Sequence, residues 1–229
     1  MKLLAVDTSS KACSCAVTEN GRLLGESYLN TGLTHSRTLT GMLHDTLARV
    51  GMAVRDMDAL AVCTGPGSYT GLRIGVSTVK GMAMACNLPC VGVSTLLSLA
   101  QNVVCYDGIV CAALDARVGQ VYTALFEIHD GRISRLTDDD AITLDELGRI
   151  LPHGSLVVGD GTELVVSHFA DRRLLAAPPA LRYQRASSAA FIAEHTEPVP
   201  AALLVPNYHR KSQAEREREA REKESLSSK

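Results

Sequence analysis

The sequence predicts an α/β fold built from two similarly ordered halves. Three observations carry this reading. Short apolar runs of strand length alternate with stretches of helical spacing. Glycine turns follow two of the strands, at residues 65–71 and 159–161. The order strand-strand-strand-helix-strand-helix, complete by residue 86 and followed by one more strand and helix, starts again at Ile109. No residue-level repeat accompanies the second round, so the duplication rests on element order.

Residues 2–6 read as a buried strand that closes on Asp7-Thr8-Ser9-Ser10. Alternation resumes over 13–17, Asn20-Gly21 supplies a hairpin turn, and 23–29 is the third strand. Over 34–50, Leu39, Met42, Leu43, Leu47 and Val50 fall at helical spacing, with Thr34 or Ser36 placed to cap the start. Residues 59–63 form a strand that runs into the loop 64–71. The helix 71–86 carries Leu72, Val76, Val79, Ala83 and Cys86 on one stripe. A strand at 91–93 and a short helix at 95–102 end the first round. The second has strands at 109–114 and 120–128, an Asp130-Gly131 turn, and a strand at 132–136. A helix at 144–151, a strand at 155–158 and helices at 162–169 and 187–195 complete it. The units expected are 1–104, 105–208 and a charged tail, 209–229. Within that tail QAEREREAREKE (213–224) has i,i+4 pairs, Glu217/Arg221 and Glu219/Lys223, and no apolar face, which predicts a solvated segment.

Composition narrows function. A chain of 229 residues can bury roughly 70% of its unfolded surface, so its core needs no staples. A net charge of −2 and nine aromatics (6 Tyr, 3 Phe, no Trp) argue against autonomous nucleic-acid binding, which calls for a basic patch or a stacking platform. The seven Cys lack zinc spacing and sit mostly in apolar runs, which predicts buried free thiols in a reducing cytosol. MKLLAVDTSS turns polar too soon for a signal peptide, and no apolar run approaches the ~18–20 residues that span a bilayer. A cytoplasmic protein without membrane contact is expected.

Three strings offer candidate anion or nucleotide positions. Asp7, Thr8 and Ser9 put a carboxylate and two hydroxyls at a strand end, suited to a hydrated cation or phosphate and equally to a turn. Gly65, Gly67, Ser68 and Gly71 lie between a strand and a helix, where successive N–H groups can hold an anion or let the helix pack closely. The small residues Gly75, Ser77, Gly81 and Ala85 agree with close packing, and no Walker A spacing is present. Gly159, Asp160 and Gly161 form a second such turn. Asp115-Ala116-Arg117 reads as a surface turn with a local ion pair. No two His stand at i,i+4, which argues against a helix-borne metal site.

LLAVDTSS (3–10), HSRTL (35–39), GPGSYTGLRIG (65–75), LDARVGQVY (114–122) and PNYHR (206–210) occur together in the order and spacing of one family. On these strings the chain resembles the TsaB (YeaZ) family of the TsaD/glycoprotease-like superfamily. The resemblance implies an actin/Hsp70-like fold: two RNase H-like subdomains with mixed sheets flanked by helices. It implies a non-catalytic scaffold that supports the paralogue TsaD, with the ATPase TsaE, in threonylcarbamoyl transfer to the anticodon-adjacent adenosine of tRNA. The paralogue binds metal through a helix-borne His pair. Here His35 stands alone, with Arg37 and Leu39 where a second ligand would be sought, so neither catalytic nor metal-binding residues are expected. The resemblance also implies that the first two helices pack on TsaD. The expected interface is His35, Ser36, Leu39, Met42, Leu43, Leu47, Leu72, Arg73, Val76 and Val79, an apolar seam that drives a homodimer when unpartnered. Contact with tRNA is then indirect, no cofactor is required, and ATP or ADP belongs at subunit interfaces. Tyr69 replaces the commoner Phe of the family, and Thr40-Gly41 lacks a Pro. A competing reading is a nucleotide-binding small-molecule kinase or hydrolase of the same fold class, resting on Asp7, the 65–71 loop and 159–161. A metallopeptidase, the older family label, lacks its paired-His motif here.

Overall fold

The computed structural model describes residues 1–209; the charged segment 213–224 lies outside the described residues. The first round runs β1 (Lys2–Asp7), β2 (Cys13–Glu19), β3 (Arg22–Leu29), α1 (His35–Val50), β4 (Ala59–Gly65), α2 (Tyr69–Cys86), β5 (Pro89–Ser94) and α3 (Thr95–Gln101). The second runs β6 (Gly108–Arg117), β7 (Gln120–His129), β8 (Arg132–Arg135), β9 (Asp140–Thr143), α4 (Leu144–Ile150), β10 (Leu156–Val158), α5 (Thr162–His168), β11 (Leu175–Ala176), α6 (Ala186–Ala193) and β12 (Val199–Pro200).

The sheets repeat one topology. In the first, β3-β2-β1 is an antiparallel meander, β4 and β5 add parallel to β1, and β12 closes the far edge antiparallel to β5. In the second, β8-β7-β6 is the meander, β10 and β11 add in parallel, and β9 pairs with β7. This is the duplication expected from element order, and the pair of mixed-sheet, RNase H-like subdomains that the resemblance implies. Both meanders turn where the sequence predicts: Asn20 and Gly21, like Asp130 and Gly131, take positive φ at both turn positions, the twist-matched hairpin geometry.

The layers explain how the halves hold together. α1 and α2 cover one face of the first sheet through Leu39, Met42, Leu43, Leu47, Val76 and Val79. α4 and α5 cover the outer face of the second sheet through Leu144, Leu147 and Val165. Between the sheets lie α3 and α6, and each crosses over. α3, from the first round, packs Leu96, Leu99 and Ala100 on the second sheet. α6, late in the second, packs Ala186, Ala189, Ala190 and Ala193 on the first. Alanines bring that helix close to the sheet. The cross-over is pinned by Glu26 of β3, which accepts from Arg185 Nη2 at 2.5 Å, Ser187 N at 3.1 Å and Ser187 Oγ at 2.8 Å at the start of α6.

Several details differ from expectation. Neither Thr34 nor Ser36 caps α1; Thr34 holds the N-cap position without a side-chain bond. α2 starts two residues early, at Tyr69, because the Ser68 hydroxyl accepts from Gly71 N and caps it. Asp115 makes no ion pair with Arg117 but accepts from its backbone N–H at 2.7 Å. All seven Cys are free thiols; Cys105 is exposed and Cys86 half-buried.

Candidate functional site

β1 and β4 end side by side, and the two candidate loops that follow them pack on each other. The Ser68 N–H donates to the Ser9 carbonyl at 2.6 Å, and the Thr8 hydroxyl to the Gly71 carbonyl at 2.8 Å. A Cβ on Gly67 would overlap the Ser9 carbonyl oxygen, one on Gly71 the Thr8 carbonyl oxygen, and one on Gly75 the Thr8 hydroxyl. The glycines are therefore needed for backbone-to-backbone approach. Three donors of this loop are occupied within the chain: Ser68 N by Ser9, Gly71 N by Ser68 Oγ, Leu72 N by the Ser68 carbonyl. Gly65 meets the C-terminal segment instead, where Asn207 N donates to the Thr64 carbonyl at 2.7 Å.

The 159–161 turn is built alike. A Cβ on Gly159 would overlap the Ala113 carbonyl oxygen, Gly161 N donates to that same carbonyl, and Gly159 N donates to the Arg182 carbonyl. Asp160 reaches across to the other loop: its Oδ2 accepts from Ser10 Oγ at 2.6 Å, and its Oδ1 from Asp115 N at 3.0 Å. His35, at the start of α1, donates from Nε2 to the Ser10 carbonyl at 2.7 Å, which fixes its tautomer. Behind this surface Asp7 is fully buried and accepts from Ser9 N and Ser9 Oγ on one oxygen. Burial raises its pKa above the ordinary value, opposed by hydrogen bonding from Cys63 and Ser9. Burial, with the Asp7 charge beside it, pushes the Cys63 thiol well above its ordinary range.

The structure thus brings Asp7, Thr8 and Ser9 together with Gly67, Ser68 and Gly71, and links them through Ser10 to Asp160. It does so as a packed junction whose polar groups largely serve one another.

The expected apolar interface needs correction. Leu39, Met42, Leu43, Leu47, Leu72, Val76 and Val79 are all buried in this chain's own core. Their helical spacing marks the stripe that faces the first sheet, which takes them before a partner can. Burial of each such side chain stabilises the fold by roughly 2 kcal/mol. Of the expected set, Ser36 and Arg73 are exposed and His35 is half-buried. The outward faces of the two helices carry Arg37, Thr40, Gly41, His44 and Ala48 on α1, and Ser77, Gly81, Met84 and Ala85 on α2. A Cβ at Gly41 or Gly81 would meet nothing within 4 Å.

Sequence reasoning missed what holds the C-terminal segment on α2. Tyr208 stacks on Tyr69, ring centroids 4.6 Å apart, and the Arg73 guanidinium lies 4.1 Å over the Tyr69 ring. Arg73 Nε donates to Tyr208 Oη at 2.9 Å, and its Nη2 to Tyr69 Oη. Lys80 donates to the carbonyls of Ala202 and Leu204. The joint presence of GPGSYTGLR and PNYHR was the available signal, but not their contact.

Comparison with known proteins places the chain. The model of the TsaD family, tRNA N6-adenosine threonylcarbamoyltransferase, matches residues 30–169. The tRNA threonylcarbamoyladenosine biosynthesis protein TsaB of Bacillus subtilis (strain 168) is 31% identical over 221 residues, covering 94% of this chain and 96% of that one. The chain belongs to the TsaB (YeaZ) family. Escherichia coli (strain K12) TsaB is 36% identical over 149 residues, 64% of each chain. The solved structure of YeaZ from Pseudomonas aeruginosa superposes with a TM-score of 0.78 at 29% identity, over 90% of this chain and 99% of that one.

In this TsaB-family chain four of the strings quoted above converge. DTSS, the start of HSRTL and GPGSYTG meet at one end of the first sheet, and PNYH lies against the second turn of α2. Among the described residues one group brings metal-ligating atoms together: Asp107, His129 and Asp130, within 4.8 Å of one another. It sits exposed at a hairpin tip, far in sequence from these strings, and Asp107 Oδ1 already accepts from Asp130 N. Among the described residues no helix is long and apolar enough to cross a membrane.

Proposed function

We propose that this TsaB-family chain is a non-catalytic subunit of tRNA threonylcarbamoyladenosine biosynthesis that binds and supports the TsaD paralogue, with the ATPase TsaE as a further component. The observation that carries this reading is similarity to B. subtilis TsaB over 96% of that protein's length. The absence of a second His beside His35, and the commitment of His35 Nε2 to the Ser10 carbonyl, support a supporting rather than a metal-dependent role.

The surface proposed for TsaD is the outward face of α1 and α2. Gly41 and Gly81 support it. Each costs its helix about 1 kcal/mol relative to Ala, and neither has a neighbour in this chain that requires a glycine. Close approach of partner helices gives both a reason. Contact with tRNA then runs through the partner, in keeping with a net charge of −2. The chain works in the cytoplasm and needs no cofactor of its own, and ATP or ADP in the assembly lies at subunit interfaces. In the absence of TsaD, the same face pairs two copies of this chain.

Co-expression with the TsaD paralogue of the same genome tests the reading. A stable complex on size exclusion is expected, and separate elution at micromolar concentration would overturn it. Against the kinase or hydrolase reading stand Ser68 N, Gly71 N, Gly159 N and Gly161 N, each already donating to an acceptor of this chain.

A further inference from the structure

We propose that Asp160 is a latch that holds the two halves closed over a buried polar cluster, and that breaking its bond to Ser10 opens the cluster to water without unfolding either half.

The cluster lies between the bodies defined by the crossed helices. Asp7 pairs with Ser14 across β1 and β2, so both point to the face of the first sheet that α6 covers. Cys63 shares that face on β4. Ser98 enters from α3, the helix packed on the second sheet. Asp7, Cys63 and Ser98 are all 0% exposed. Asp7 Oδ2 and Ser98 Oγ meet no nitrogen or oxygen partner; the Cys63 thiol, a weak donor and acceptor, lies against both. Thr95 Oγ1, one turn before Ser98, is also unpartnered, as are both amide atoms of the buried Gln184 just before α6. Polar groups held this way gain partners when water enters, so closure depends on what seals the rim.

The rim is two loops. Ser10 lies three residues beyond Asp7. On the other side Gly159 packs beside Leu99, the neighbour of Ser98. Asp160 joins the loops: Ser10 donates to its Oδ2 at 2.6 Å, while its Oδ1 stays on Asp115 N of the second half. Lys11 stands 3.8 Å from the same Oδ2 on the solvent side. Glu26–Arg185 does not oppose opening, because it fastens α6 to the first sheet, within one body. Further bonds join the bodies, among them Ser94–Asp139 where β5 turns into α3 and Ser188 Oγ to Asn102 Oδ1 at 2.6 Å between α6 and the end of α3; both lie away from the rim and are kept in the variants below.

Thiol chemistry on the full chain reads the latch. Cys63 reports the cluster. Cys111, buried between the second sheet and α4 and α5, reports global unfolding. Under native conditions, N-ethylmaleimide labelling followed by peptide mass spectrometry gives both rates. Ser10→Ala removes the hydroxyl bond across the halves and leaves the Lys11–Asp160 ion pair and the Asp160–Asp115 contact in place; Asp160→Ala removes all three. Each variant is expected to label Cys63 about tenfold faster than wild type, the factor that loss of about 1.4 kcal/mol gives, with Cys111 unchanged. No acceleration at Cys63 in either variant, or equal acceleration at Cys63 and Cys111, overturns the proposal.

Discussion

The carbonyl oxygen of Thr8 occupies the space where a side chain on Gly71 would begin. That contact makes the glycine loop a structural joint between β1 and the start of α2. Gly71→Ala is expected to destabilise the protein by more than about 2 kcal/mol, because backbone must move to admit the methyl group. A urea denaturation midpoint measures this. An unchanged midpoint would show that the loop is not packed as described.

Glu26 predicts a second large loss. Its buried carboxylate serves both the Arg185 guanidinium and the Ser187 backbone N–H. Glu26→Ala strands both groups and should cost about 3 kcal/mol. Glu26→Gln keeps one acceptor oxygen and should cost less. Thermal denaturation of the two variants checks the order.

Asp7 predicts a pH dependence. Its folded pKa is raised above the ordinary 3.8 by burial. The native state therefore holds the proton more tightly than the unfolded state. Stability from this group is full below about pH 3.8 and falls as pH climbs through the raised folded value. Asp7→Asn keeps the Oδ1 acceptor for Ser9 and removes the ionisation. Denaturation midpoints from about pH 4 to about pH 8 should decline less steeply in the variant than in wild type. Parallel profiles would rule Asp7 out as the source.

Burial of Leu43 and Val76, each 4% exposed, changes what substitution there can report. Leu43→Glu and Val76→Glu place a charge in the core and should unfold the chain, losing its circular dichroism along with any association. A folded Leu43→Glu variant would contradict the packing of α1 on the first sheet.

How much was legible follows from period and length. α1 and α2 carry several apolar residues at 3.6 spacing, and their ends were readable to within a few residues. β9, β11 and β12 have four residues or fewer and give no period to read. The same spacing that revealed α1 misled about its use: an apolar stripe states that a face is covered, not by what. Asp7, Ser9, Gly67 and Gly71 could be picked as a group from glycine and hydroxyl chemistry. That they bond to one another rather than to a ligand depends on β1 and β4 being neighbours, which only the fold supplies. The crossing of α3 and α6 and the stacking of Tyr208 on Tyr69 are long-range contacts of the same kind.

The central claim is that the outward face of α1 and α2 carries the TsaD paralogue. Calorimetric titration of that paralogue into wild type and into a Gly41→Arg, Gly81→Arg double variant tests it most directly. Both positions are open in the free chain, and Arg is a better helix former than Gly by about 0.8 kcal/mol. The account predicts a variant at least as stable as wild type that no longer binds. A stable variant that binds TsaD as tightly as wild type would contradict it.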